Sequence, residues 1–167
     1  HGQHYNTEIL RMVGEGLPMV FIDRYLEGLP VPFVGSDNKK AIQDLTAYLL
    51  KNGYQKIGYI TPPAEDAASL RQRMEGYCEI CEKKRMRCWD EAPATDREGY
   101  LLDTIRSTIP DQQTLSNQEA DERRIRGFLE EHPGLEAIMT AEYDIAVLTE
   151  KICAKMGIHV PDELLIS

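Results

Sequence analysis

The sequence predicts an α/β fold, a parallel sheet with helices on both faces. Three observations lead there. Short apolar runs (Met19–Ile22, Ile57–Ile60, Ala137–Ala141) lack the polar alternation of a half-exposed strand, as strands buried on both sides do. Between them lie segments with apolar residues three and four positions apart, the helical period. The links are short and carry helix start and stop residues, giving the order β-α-β-α-β-α-β-α-β.

Taken in order, Thr7 to Val13 has helical spacing at Ile9, Leu10 and Val13. Gly14, Gly16 and Pro18 end it. Strands Met19–Ile22 and Phe33–Val34 follow, the second framed by Pro30 and Pro32. Ser36 or Asp37 starts a helix that runs to about Asn52, with Ile42, Leu45, Tyr48 and Leu49 as its apolar stripe and Gly53 at its left-handed stop. Strand Ile57–Ile60 leads through Pro62-Pro63 to a helix from about Ser69 to Lys84, with Leu70, Met74, Tyr77 and Cys81 inward. Met86–Trp89 reads as a strand and Tyr100–Ser107 as a short helix in the least legible stretch. A helix from Ser116 or Asn117 to Glu131, broken by Pro133-Gly134, puts Ile125, Phe128 and Leu129 inward. Strand Ala137–Ala141, helix Asp144–Met156 with Gly157 as its stop, and strand Leu164–Ile166 complete the chain. No internal repeat is present. Both ends read as truncated, because the last strand stops at Ser167 and a lone helix precedes the first.

Composition narrows the function classes. The chain has 167 residues, 42% hydrophobic and 28% charged, enough for one domain with a core. Nineteen basic against 28 acidic residues give a net charge of −9, so the basic footprint that nucleic-acid phosphates need is missing. No apolar run approaches a membrane span, and no signal peptide is visible. Cys78-x-x-Cys81 reads as two core-facing positions of one helix, since neither a second pair nor a nearby histidine completes a zinc set. Free thiols fit a reducing, cytoplasmic setting. No cofactor or metal is called for.

The stretch Gly16 to Asn38 organises the chain. Asp23 and Arg24 directly follow a buried strand, at the carboxyl edge where open α/β sheets bind ligands. Arg71 and Arg73 lie in the first turn of a helix, where cations oppose the helix dipole; that placement suggests ligand work, against the plainer reading of solvent-facing charge. An enzyme reading finds no G-x-S-x-G, G-x-x-x-x-G-K-[ST] or G-x-G-x-x-G. None of the four histidines is placed after a strand as a general base would be, and nothing supplies a nucleophile.

Five ordered motifs resemble the effector-binding core of the lactose-repressor/galactose-repressor family, a relative of periplasmic pentose- and hexose-binding proteins. These are Gly16–Arg24, ending in D-R; Val34-Gly35-Ser36-Asp37-Asn38; Asn52–Ile60, similar to "G-H-x-x-I-x-x-I" with Tyr54 in place of His; Arg73-Met74-Glu75-Gly76-Tyr77, matching "R-x-x-G-[FY]"; and Met156–Glu163, matching "x-G-[IL]-x-V-P-x-[DE]". The resemblance implies a partial two-lobe periplasmic-binding-protein-like (type I) sensor. Residues 1–35 would be the end of the first lobe. Residues 36–167 would be the second lobe, truncated at its C-terminal side, with the DNA-binding headpiece absent. The wording of Asp23 to Leu26 is similar to GntR-type regulators with an arabinose-repressor-like sensor.

By position, the resemblance makes Asp23, Arg24 and Arg73 ligand contacts. A carboxylate accepts from sugar hydroxyls and a guanidinium donates a fixed fork. Where the family has Asn-Asp before the helix at Ala146, this chain has Glu142 and Tyr143, with Asp144 one residue late; Glu142 and Asp144 are therefore candidates that depart from the pattern. The implied protein is a cytoplasmic transcriptional regulator, a homodimer, with a small sugar-like effector. It touches DNA only through a headpiece and no membrane. The alternative is a periplasmic sugar-binding protein of a transport system, which a secretory signal upstream would favour.

Overall fold

A computed structural model of the protein describes residues 7–23, 28–63, 67–83, 87–88, 98–102 and 115–167. Five helices and seven strands occur in them. In order these are α1 (Thr7–Gly14), β1 (Phe21–Ile22), β2 (Phe33–Val34), α2 (Asn38–Lys51), β3 (Lys56–Ile60), α3 (Ala68–Lys83), β4 (Arg87–Cys88), β5 (Glu98–Leu102), α4 (Leu115–Glu131), β6 (Ala137–Thr140), α5 (Tyr143–Met156) and β7 (Leu165–Ile166). The strands form two parallel sheets. One is the pair β1-β2; the other has five strands in the order β4-β5-β3-β6-β7.

Two apolar cores explain the layering. Alternate residues of β3 and β6 point to opposite faces. Ile57, Tyr59, Ala137 and Met139 join Leu49 of α2 and Tyr77 and Cys81 of α3. Ile60 and Ile138 join Ile125 and Phe128 of α4 and Ile145 and Ile152 of α5. Helices α2 and α3 thus cover one face of the sheet and α4 and α5 the other, as the unalternating apolar runs require.

Local signals set the helix ends. Asp37 caps α2, its side chain accepting from Lys40 N at 2.9 Å, and Asn52 closes the other end. Gly157 ends α5 at φ +77, a left-handed geometry that costs glycine least. At the start of the sheet, Glu136 Oε2 accepts from the backbone N–H groups of Gln55 and Lys56, the second at 3.1 Å, tying the entry of β6 to that of β3.

Two expectations are corrected. Residues 98–102 form strand β5, inserted between β3 and β4, where a helix from Tyr100 was expected; residues 103–107 of that helix lie outside the described residues. Tyr100 pairs in register with Gly58 of β3, so strand pairing overrides local pattern there. Tyr48, expected in the α2 stripe, is 62% exposed. Arg87–Cys88 form a strand within the expected Met86–Trp89; Met86 and Trp89 lie outside the described residues. In the C-x-x-C segment, Cys81 is fully buried and Cys78 half-buried on α3, and neither is in a disulfide.

Candidate functional site

Topology points to one place. Strands β3 and β6 are neighbours, yet the chain leaves β3 for α3 on one face and β6 for α5 on the other. Where adjacent connections diverge, a crevice opens beyond the carboxyl ends of the strands, the usual ligand position in such sheets. Residues 61–63 and 67–73 follow β3 and residues 141–144 follow β6 at that end.

Arg73 spans that crevice's edge. Its Nε donates to Asn38 Oδ1 at 2.8 Å and its Nη1 to the Ala141 carbonyl at 2.5 Å. The helical start of α2, the first turns of α3 and the turn from β6 into α5 therefore meet on one guanidinium. Asn38 is 9% exposed, and its Nδ2 donates to the Ser36 carbonyl at 3.3 Å. Among the described residues Nη2 of Arg73 makes no hydrogen bond, which leaves part of the fork available to a ligand oxygen.

The rest of the R-x-x-G-[FY] motif explains how Arg73 gets there. At Gly76 an added Cβ would stand 2.5 Å from the Lys39 carbonyl oxygen, so α3 crosses α2 with backbone against side-chain-free surface. Tyr77, one residue on, is 1% exposed and its hydroxyl donates to the Ile57 carbonyl at 2.7 Å, pinning α3 to β3. The glycine sets the helix spacing, the tyrosine the height, and the arginine is delivered to the sheet's edge.

Tyr59 lies on β3 just before the crevice. It is fully buried, 5.2 Å from the Tyr77 ring, and its hydroxyl has no hydrogen-bond partner among the described residues. Burial pushes the phenol up to about 12, with Thr61 and the Arg73 guanidinium pulling the other way and Cys78 and Glu142 adding to the rise. Arg73 and Glu142 thus both act on one buried oxygen.

The other predicted residues are spread out. Glu142 is exposed and extended (φ −142, ψ 149) at the head of α5, where it makes no side-chain capping bond. Asp144 is exposed in the first turn of α5. Asp23 follows β1 at φ +65, a left-handed geometry that Asp tolerates better than most side chains; its N–H donates to the Val34 carbonyl at 2.9 Å. No hydrogen bond or ion pair joins Asp23 to Arg73 among the described residues. Arg24 lies outside the described residues. Among the described residues no group of three or more His, Cys, Asp or Glu is arranged to hold a metal ion, and no helix is long and apolar enough to cross a membrane.

Asn38 is the residue that sequence reasoning read only as a helix-start signal. Its pairing with Arg73 crosses 35 positions, and nothing local announces it.

The family model of the periplasmic binding protein-like domain matches residues 46–167. The chain belongs to this family. The resemblance carried by the five motifs agrees with it. Over 148 residues the chain is 27% identical to the ribose operon repressor of Halalkalibacterium halodurans, a match covering 89% of this chain and 38% of that protein. A PurR family transcriptional regulator from Vibrio parahaemolyticus superposes with a TM-score of 0.72 at 14% identity, over 99% of this chain and 56% of that one. The transcription regulator GntR from Chromobacterium violaceum gives 0.69 at 18% identity, over 100% and 54%. At these identities the superpositions establish the type I periplasmic-binding-protein-like fold, here a part of it. The chain spans less than two-fifths of the curated repressor's length and a little over half of each of these solved chains.

Proposed function

We propose that these residues are the effector-binding part of a cytoplasmic bacterial transcriptional regulator, non-catalytic, sensing a small sugar or sugar derivative. Residues 1–35 end a first lobe and residues 36–167 form the second, with the ligand between them. The observation that carries this reading is Arg73: a half-buried side chain at the carboxyl end of the sheet, with Nε and Nη1 bonded and Nη2 making no hydrogen bond among the described residues. Such a fork donates to ring and hydroxyl oxygens, while Asp23, Arg24, Glu142 and Asp144 supply the remaining polar contacts. The ribose operon repressor among the relatives supports the sugar class. In this reading a homodimer presents DNA-binding heads built from other residues, because a net charge of −9 gives these few means to hold phosphates. Effector binding changes that presentation, a coupling of typically ~1–3 kcal/mol.

The test is operator affinity of the full-length protein, measured with pentoses, hexoses, sugar phosphates and nucleosides. One class should shift that affinity at least about fivefold. A panel in which no compound moves it sinks the regulator reading.

A further inference from the structure

We propose that Asn38 is a positioning residue that locks Arg73 in place and ties it to the linker at residues 35–37, so that the state of the linker and the aim of the guanidinium change together. This deepens the effector-binding reading and rests on it for its link to ligand.

Three observations meet in Asn38. Its carbonyl oxygen takes the Arg73 Nε proton at 2.8 Å. Its amide nitrogen donates to the Ser36 carbonyl at 3.3 Å, and its backbone N–H donates to the same oxygen at 3.0 Å. Ser36 belongs to the short segment that joins β2 to α2, the passage from the two-stranded to the five-stranded sheet. The side chain is 9% exposed, so water competes weakly for these bonds.

An asparagine suits this task for a stated reason. The Arg73 side needs an acceptor and the Ser36 side needs a donor, and a carboxamide offers both on one rigid plane. Aspartate would keep the first bond and lose the second; alanine would lose both. With Nε and Nη1 held by Asn38 and Ala141, the guanidinium has little rotational freedom left, and a ligand meets it already oriented. A linker movement that shifts Ser36 pulls on Asn38 and thereby turns Arg73. By linkage, a ligand that fixes Arg73 steadies the linker to the same degree.

The test uses the full chain, labelled with nitrogen-15, with the Arg73 Nε–H resonance assigned by its loss in Arg73→Lys. In the wild type that proton should exchange with water at least tenfold more slowly than in free arginine. Asn38→Ala should abolish the protection and Asn38→Asp should keep it. In Arg73→Lys the Asn38 backbone N–H should exchange faster than in the wild type. Unprotected Nε–H in the wild type, or equal protection in Asn38→Ala, overturns the proposal. If Asn38→Ala does not fold, Asn38→Asp decides alone, since a carboxylate that fails to protect Nε–H refutes the pairing. Ribose, xylose, galactose and glucose then serve as probes. If one binds, Asn38→Ala should weaken it about tenfold, a charged hydrogen bond's worth, with most of the affinity restored in Asn38→Asp; unchanged affinity in Asn38→Ala overturns the link to ligand. If none of the four binds, the sugar reading is what fails, and the exchange rates still decide the positioning role.

Discussion

Gly76 of α3 lies so close to Lys39 of α2 that a methyl group on it would meet the Lys39 carbonyl oxygen at 2.5 Å. Backbone atoms cannot yield as a flexible side chain does, so a larger residue must separate the helices. Gly76→Ala should therefore cost ~1–3 kcal/mol of stability, against the usual gain from replacing a helical glycine. Urea unfolding measures it; an unchanged or raised midpoint would mean the helices part without strain.

Arg73 carries structure as well as the proposed binding. Its bonds to Asn38 and Ala141 join the starts of α2 and α3 to the turn before α5. Losing them strands two acceptors beside the crevice, and Arg73→Ala should destabilise by ~1–3 kcal/mol while still leaving a folded protein. Far-ultraviolet circular dichroism should stay native, and thermal unfolding should fall by several degrees. A variant as stable as the wild type would refute the structural half.

Tyr59 offers an opposite sign. Its buried hydroxyl has no hydrogen-bond partner among the described residues, a situation that costs free energy. Tyr59→Phe should leave stability unchanged or raise it by up to ~1 kcal/mol. The phenol also predicts a pH effect. Its folded value, about 12, lies above the ordinary phenol value of 10.0, so the neutral form is favoured on folding. The associated stability is fully present below about 10 and is lost as pH rises through about 12. Stability measured between those limits should fall less steeply in Tyr59→Phe than in the wild type; identical slopes would contradict the assignment.

Glu136 joins β6 to β3 by accepting two backbone N–H groups 80 and 81 positions away. Glu136→Ala leaves both donors to find water at the sheet's edge and should cost ~1–3 kcal/mol. Glu136→Gln, which keeps one acceptor oxygen, should cost less. Equal losses in the two variants would show that shape rather than the hydrogen bonds matters there.

How much of this was legible in the sequence follows from the range of each interaction. Asp37, Gly53 and Gly157 announce helix ends because capping and left-handed turns are local chemistry, and α2, α3 and α5 fall within one or two residues of expectation. The unalternating runs at Ile57–Ile60 and Ala137–Ala141 marked the centre of the sheet. Strand β5 was missed because Glu98-Gly99-Tyr100-Leu101-Leu102 has no strand pattern of its own; it is held by β3 on one side and β4 on the other. Tyr48 was misplaced because an apolar ring in a helical stripe looks like core. Arg73 could be suspected from a cation in a first helical turn. Its partners Asn38 and Ala141 could not, since both contacts are made across the sheet's edge. Asp23 was picked out by its place after a strand, yet its left-handed backbone carries no sequence mark.

In the proposed function, Arg73 holds a sugar-like effector at the switch point. Thermal unfolding of the full-length protein and of Arg73→Lys, with pentoses, hexoses, sugar phosphates and nucleosides, tests it most directly. A ligand at about a hundredfold over its Kd adds ~2.7 kcal/mol, a shift of several degrees. Such a shift is expected with one sugar class in the wild type and little or none in Arg73→Lys, because an ammonium cannot keep the bonds to Asn38 and Ala141 and still reach the ligand as a fork. A flat panel, or an equal shift in both proteins, would contradict it.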